Sequence, residues 1–203
     1  MKRVLLTGFE PFAGANLNPS EQIVNALKGR QIAGVELHTA VLPVVFTESS
    51  ELLRHLIKLH KPDAVICLGQ AEGRREISFE RVAINLDDAR LADNAGRVVL
   101  DQPVVAGGPT AHLTTLPVKE MVAAVRAEGI AAGLSTTAGT FVCNHIFYAM
   151  QHELAVTSVV SGFIHVPLMP EQSGEFEGLP TMPLDQQVRA IEVAIRVACA
   201  EFS

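Results

Sequence analysis

Apolar positions along this chain alternate between two periods. Val4 to Thr7 is a short unbroken apolar run and predicts a buried strand. Ile23, Val24 and Leu27 then recur at helical spacing behind Asn18-Pro19-Ser20-Glu21, an N-cap with proline at the first helical position, and the helix is expected to stop at Gly29. Val35 to Leu42 reads as a strand. Thr47 to His60 reads as a helix carrying Leu52, Leu53, Leu56, Ile57 and Leu59, ended by Lys61-Pro62. Ala64 to Leu68 is a second buried strand that closes in Gly69-Gln70.

The middle of the chain reads differently. Phe79 to Asn85 alternates at strand period and Asp93-Asn94-Ala95-Gly96 signals a turn, which predicts a hairpin-like excursion at the rim of a sheet. Pro117 to Glu128 then predicts a helix capped by Gly129, Leu134 to Thr136 a short strand, Phe141 to Glu153 a helix, and Val156 to Phe163 another strand. Pro167 to Pro183 is rich in Pro, Gly and Glu and reads as loop. Leu184, Val188, Ile191, Ile195 and Ala198 mark a long amphipathic terminal helix. Strands alternating with helices, without a repeat or linker, predict an α/β fold. The expected form is a single-domain α/β/α sandwich over residues 1–203, with an open, twisted, mostly parallel sheet and helices on both faces.

Composition narrows the function. Of 203 residues, 48% are hydrophobic and 19% charged, which suits a large core and shows no disorder signature. A net charge of −6, without a basic cluster interleaved with aromatics, makes nucleic acid a poor partner. The apolar run after Met1-Lys2-Arg3 stops at Thr7-Gly8, too early for a signal peptide, and no run approaches membrane-spanning length. A cytoplasmic protein is expected. Three cysteines without framework spacing argue against a disulfide scaffold, and dispersed histidines without a ligand motif argue against a metal site.

The densest chemistry lies in Ala138-Gly139-Thr140-Phe141-Val142-Cys143-Asn144-His145. A Gly-punctuated turn leads into a helix, so Cys143 falls in a first helical turn. There, orphan backbone N–H groups and the helix dipole favour a thiolate. His165, where an apolar strand ends, is the candidate base. His145 at i+2 faces elsewhere, and His152 lies two and a half turns along the axis. The alternative is that Cys143 is a small buried hydrophobe, as free cysteines usually are. Cys67 and Cys199 read as core or interface packing. Glu80, judged from its neighbours alone, reads as a solvated strand residue paired with Arg81 or Arg75.

Several motifs together extend this picture. Thr7-Gly8-Phe9-Glu10-Pro11-Phe12, Asn18-Pro19-Ser20, Leu68-Gly69-Gln70-Ala71 with Gly73-Arg74, and Asp88-Ala89-Arg90 with Asp93-Asn94 precede the cysteine segment, and His165-Val166-Pro167 follows it. In this order, across essentially the whole chain, they resemble the pyrrolidone-carboxylate peptidase (pyroglutamyl-peptidase I) family of cysteine exopeptidases. The resemblance implies a catalytic triad of Cys143, His165 and Glu80, no cofactor, N-terminal pyroglutamyl peptides as substrates, and often a homotetramer. Two positions depart from the family pattern. Ala13-Gly14 stands where two glycines are usual, and Thr136 where asparagine is common.

A pyroglutamyl group is an uncharged lactam, so its pocket needs flat apolar walls and a few hydrogen bonds. Phe9 and Phe12 flank Pro11 in a loop leaving a strand end, and Phe141 and Val142 sit beside the nucleophile. These are candidate walls, with ordinary core packing as the competing role. Gln70 and Asn18 are candidate lactam partners, with capping or turn duty as the alternative. The backbone N–H of Cys143 is a natural oxyanion donor, and Arg90 a candidate for supplying or positioning another. The competing function is another thiol amidase or glutaminase-like hydrolase of the same fold class.

Overall fold

In the computed structural model, residues 1–200 are described. Six strands form one sheet in the order β2-β1-β3-β8-β4-β7. They are β1 (Lys2–Phe9), β2 (Val35–Leu42), β3 (Ala64–Gln70), β4 (Ile77–Glu80), β7 (Ala132–Ser135) and β8 (Val160–Val166). A separate two-stranded ribbon pairs β5 (Val82–Ile84) with β6 (Ala111–Leu113). The main sheet is parallel except where β4 meets β8, so β4 and β7 run against the other four strands.

Burial on both faces explains why β3 and β8 are continuous apolar runs. One face, with Val4, Leu6, Ile66, Leu68, Phe79 and Ile164, packs against α1 (Pro19–Leu27), α3 (Val118–Ala127) and α5 (Leu184–Ala200). The other, with Leu5, Val65, Cys67 and Phe163, packs against α2 (Phe46–His60) and α4 (Val142–Leu154). The layered α/β/α arrangement predicted from the alternation of elements is therefore present.

Local chemistry sets the helix ends. Asn18 caps α1, its side chain accepting from the backbone N–H of Ser20 at 3.0 Å, with Pro19 in the first turn. Lys61 ends α2 in the left-handed conformation at φ 46°, and Pro62 prevents continuation.

Four elements differ from the sequence reading. The run from Phe79 to Asn85 is two strands in two sheets, and β4 lies inside the main sheet rather than at its rim. Arg81 is the switch: its N–H donates to Ser135 O at 2.8 Å in the main sheet, and its carbonyl accepts from Thr114 N at 3.0 Å beside the ribbon. A change of sheet leaves the alternating pattern intact, so periodicity alone reads it as one strand. Strand β8 begins at Val160, because Val156 is fully exposed in a turn after α4. The Pro-rich segment before α5 contains a 3₁₀ turn, Pro170–Gln172, and β6 carried no recognisable signal.

Candidate active site

The first turn of α4 is held from several sides. Thr140 Oγ1 donates to Asp88 O at 2.7 Å, and the Asp88 N–H returns a bond to Thr140 O at 3.0 Å, which pins the turn before the helix. Asn144, almost fully buried, accepts from Ile84 N and donates to the carbonyls of Ile84 and Leu86. His145 Nδ1 lies 2.7 Å from Asp87 Oδ2. These contacts tie the helix start to β5 and the loop after it, leaving Cys143 to face the sheet.

Beneath the thiol is Gly69. A Cβ built there would lie 2.8 Å from Cys143 Sγ and 2.8 Å from the Phe163 ring, closer than unbonded carbon tolerates. Gly69 pairs in register with His165, and residues opposite one another in a parallel sheet share a face. The thiol, which lies over Gly69 from α4, and the imidazole therefore share one face of the sheet. His165 Nδ1 is 2.8 Å from Glu80 Oε1, and Arg74 Nη1 forms an ion pair with the same oxygen at 2.9 Å.

Glu80 is fully buried at the end of β4, not the solvated strand residue its neighbours suggest. Its partner is Arg74 rather than Arg75 or Arg81. A hydrogen bond from Arg74 Nη2 to Thr137 O at 2.9 Å anchors the guanidinium against the turn that precedes α4. Arg74 belongs to a quoted motif, but nothing in its spacing pointed to Glu80. Arg90 is exposed, and no side-chain hydrogen bond or ion pair holds it among the described residues. Its segment touches the site through the Asp88 backbone.

Burial and the helix start act on the Cys143 thiol in opposite directions. The Cys143 thiol is pushed up to about 12, chiefly by loss of water and also by Glu80, against the pull of Arg74 and of a backbone N–H. Burial lowers His165, opposed by its bond to Glu80. The helix start favours a thiolate, but desolvation outweighs it here.

Beside the thiol is a slot lined by Phe9, Phe12, Asn18, Val44, Gln70, Phe141, Val142 and Cys143. It brings together the six side chains read from the sequence as pocket candidates and adds Val44, whose only signal was its place just beyond β2. Phe12 and Phe141 stand 6.2 Å apart between ring centroids, and Phe46 packs edge-on to Phe141 at 5.4 Å. The slot holds about 20 Å³, room for one water, so a ring enters only if its walls part. Asn18 lines the slot while its side chain serves the α1 cap and donates to Glu10 O at 2.9 Å. Gln70 is different: its Nε2 is buried and has no partner.

The remaining thiols and histidines sit apart from this arrangement. Cys67 is fully buried, its thiol raised to about 12 by desolvation, with Met150 Sδ 3.9 Å away. Cys199 packs half-buried against the opposite core. His152 meets His112 at 3.1 Å, away from Cys143. Among the described residues no three metal-binding side chains cluster, and no helix is long and apolar enough to cross a membrane.

Comparison with known proteins decides the family. The pyroglutamyl peptidase family model matches residues 2–201. The chain belongs to the pyroglutamyl peptidase family. It is 50% identical over 194 residues to a pyrrolidone-carboxylate peptidase of Aliivibrio fischeri, covering 96% of this chain and 91% of that protein. It is 49% identical over 197 residues to pyrrolidone-carboxylate peptidase 1 of Ralstonia nicotianae, covering 96% and 92%. Crystalline pyroglutamyl peptidase I of Bacillus amyloliquefaciens superposes with a TM-score of 0.95 at 43% identity, covering 98% of each chain. A mutant pyrrolidone carboxyl peptidase of Pyrococcus furiosus gives 0.96 at 40% identity, covering 99% of this chain and 100% of that one. Members of the pyroglutamyl peptidase family thus share this fold from end to end.

Proposed function

We propose that this protein, acting as one catalytic domain, is a cysteine exopeptidase that removes N-terminal pyroglutamyl (5-oxoprolyl) residues from peptides. Cys143 is the nucleophile, His165 the base and Glu80 its orienting partner. The observation that carries this reading is the 2.8 Å bond from His165 to Glu80, on the sheet face where the Cys143 thiol lies over Gly69 and beside an apolar slot.

The chemistry follows from the bonding. Glu80 accepts from Nδ1–H of His165, which leaves the Nε2 lone pair as the base. Nε2 takes the Sγ proton as sulfur bonds to the pyroglutamyl carbonyl carbon. The oxyanion accepts from the backbone N–H of Cys143, an orphan donor at the helix start. The imidazolium protonates the departing amine, and the peptide leaves with its new N-terminus. Water, deprotonated by His165, then hydrolyses the thioester and restores the thiol.

The slot's lining suits an uncharged lactam and offers no carboxylate for a free α-ammonium, which disfavours a glutaminase-like reaction. Release of a fluorogenic amine from its pyroglutamyl derivative, abolished by a thiol reagent, tests the reading. No release by folded protein refutes it. We also propose a cytoplasmic homo-oligomer, a homotetramer by family resemblance. Exposed Val98, Leu100 and Leu113 offer apolar surface to a second copy, and sedimentation velocity measures the mass.

A further inference from the structure

Gln172 lies in the 3₁₀ turn Pro170–Gln172, about a hundred residues along the chain from Gln70, and is almost fully buried beside it. Three bonds engage its carboxamide. Oε1 accepts from Met169 N at 2.9 Å; Nε2 donates to Leu17 O at 3.2 Å and to Gln70 Oε1 at 2.9 Å. A terminal amide can ordinarily be turned end for end without changing its shape. Here it cannot. A backbone N–H only donates and a backbone carbonyl only accepts, so Met169 and Leu17 together dictate which end of Gln172 is which.

That orientation passes to Gln70. The atom facing Gln172 Nε2 must be an acceptor, hence Oε1 of Gln70. Its Nε2 is the other end, buried, without a partner, on a residue that lines the slot beside Cys143. Leaving a buried amide donor unpaired is costly, and the cost is removed when a ligand supplies an acceptor.

We propose that Gln172 is a specificity-determining positioning residue: by fixing the amide of Gln70 donor-inward, it makes the site demand a hydrogen-bond acceptor, the ring carbonyl of the lactam. This rests on the pyroglutamyl-peptidase reading and adds a residue that touches no substrate. It also ties three segments together, the loop before Asn18, the end of β3 and the turn after β8. Charge plays no part; the information is carried by hydrogen-bond polarity alone.

Reversing that polarity tests the proposal. At pH 8, Gln172→Glu presents an acceptor to Gln70. The Gln70 amide then turns to donate, and its oxygen faces the slot. Two amides of the same fluorogenic amine serve as probes, one acylated by pyroglutamate and one by cyclopentanecarboxylate, a neutral ring of the same size without the carbonyl. The readout is the ratio of their kcat/KM values. This ratio is internal to each preparation, so a fraction of unfolded protein does not alter it.

In Gln172→Glu the ratio is expected to fall on the order of 100-fold, because an acceptor now meets an acceptor. In Gln172→Met, which leaves the Gln70 amide free to take either orientation, a smaller fall is expected. A purely structural role would slow both substrates alike and leave the ratio at the wild-type value, which would overturn the proposal. If Gln172→Glu does not fold, Gln172→Met decides: a lowered ratio supports the proposal, an unchanged one overturns it. Wild-type protein that releases no amine from the pyroglutamyl probe overturns the functional reading, and this inference with it.

Discussion

Gly69 and Cys143 meet across the gap between strand β3 and helix α4, with the thiol standing where a side chain on residue 69 would be. The backbone at Gly69 is ordinary extended strand, so glycine is required there for space and not for conformation. Gly69→Ala should therefore fold, with a stability loss of about 1–3 kcal/mol from overpacking against Cys143 and the Phe163 ring. Displacing the sulfur by a fraction of an ångström should lower kcat on the order of 100-fold. Urea unfolding and steady-state kinetics measure the two effects. An active Gly69→Ala enzyme would show that the thiol does not work from this position.

A thiol raised by burial has its own signature. Alkylation of Cys143 by iodoacetamide should accelerate with pH well beyond 8, without the neutral plateau of a preformed thiolate–imidazolium pair. Cys143→Ser should retain the fold and lose nearly all turnover. Cys67→Ser should keep most of it, because Cys67 is sealed in the core beside Met150. A plateau in alkylation near pH 7 would mean that the ion pair exists before substrate arrives.

Arg74 contributes through the base. It bonds the same Glu80 oxygen as His165, and its positive charge lowers the imidazole's proton affinity. The sign follows: Arg74→Met removes a cation, so the His165 pKa rises toward its ordinary value. Activity requires neutral His165, so the acidic limb of the kcat/KM profile should move to higher pH. Burial holds His165 below its unfolded value, so its neutral form binds fewer protons than the unfolded chain. Stability is accordingly lost as pH falls below about 6.5. The loss should be smaller in the mutant, measured by thermal melts between pH 5 and 7.

Much of this was legible in the chain. The alternation of strand and helix predicted the layers, and Cys143 and His165 stood out by residue type, helix start and strand end. The dyad could be read because each signal is local. Glu80 could not, because its burial depends on β4 entering the sheet between β8 and β7, a pairing with no local sequence trace. Arg74 and Gln172 escaped for the same reason. Their roles arise from contacts that join distant segments, Arg74 to Thr137 and Gln172 to Gln70, and neither periodicity nor spacing records such contacts.

Ala13 explains one departure from the family pattern. It holds a left-handed backbone at φ 54°, followed by Gly14 at φ 80°, in the loop that carries Phe12. Alanine is strained by about 1 kcal/mol there, which accounts for the usual glycine. Ala13→Gly should therefore raise the melting temperature slightly or leave it unchanged, unlike most glycine substitutions. A clear fall in calorimetric Tm would show that the loop takes another conformation in solution.

The slot itself predicts how sharply substrates are told apart. Proline and pyroglutamate have rings of nearly equal size, so a shape-only slot would admit both. Proline lacks the lactam carbonyl and carries a charged secondary amine. It would leave Gln70 Nε2 buried and unpaired, and would place a cation among Phe9, Phe12, Phe141 and Val142 without a counter-charge. A site built around a hydrogen bond rejects an analogue lacking it by on the order of 10⁴-fold, and prolyl amides should be rejected to that extent. Phe12→Ala separates the wall from the hydrogen bond. Losing one face of the ring's enclosure should lower kcat/KM for the pyroglutamyl substrate by about 10–100-fold while leaving prolyl amides rejected. Parallel kinetics on the two amides decide the matter. Similar rates in the wild type would refute the slot as the specificity site and leave the thiol chemistry untouched.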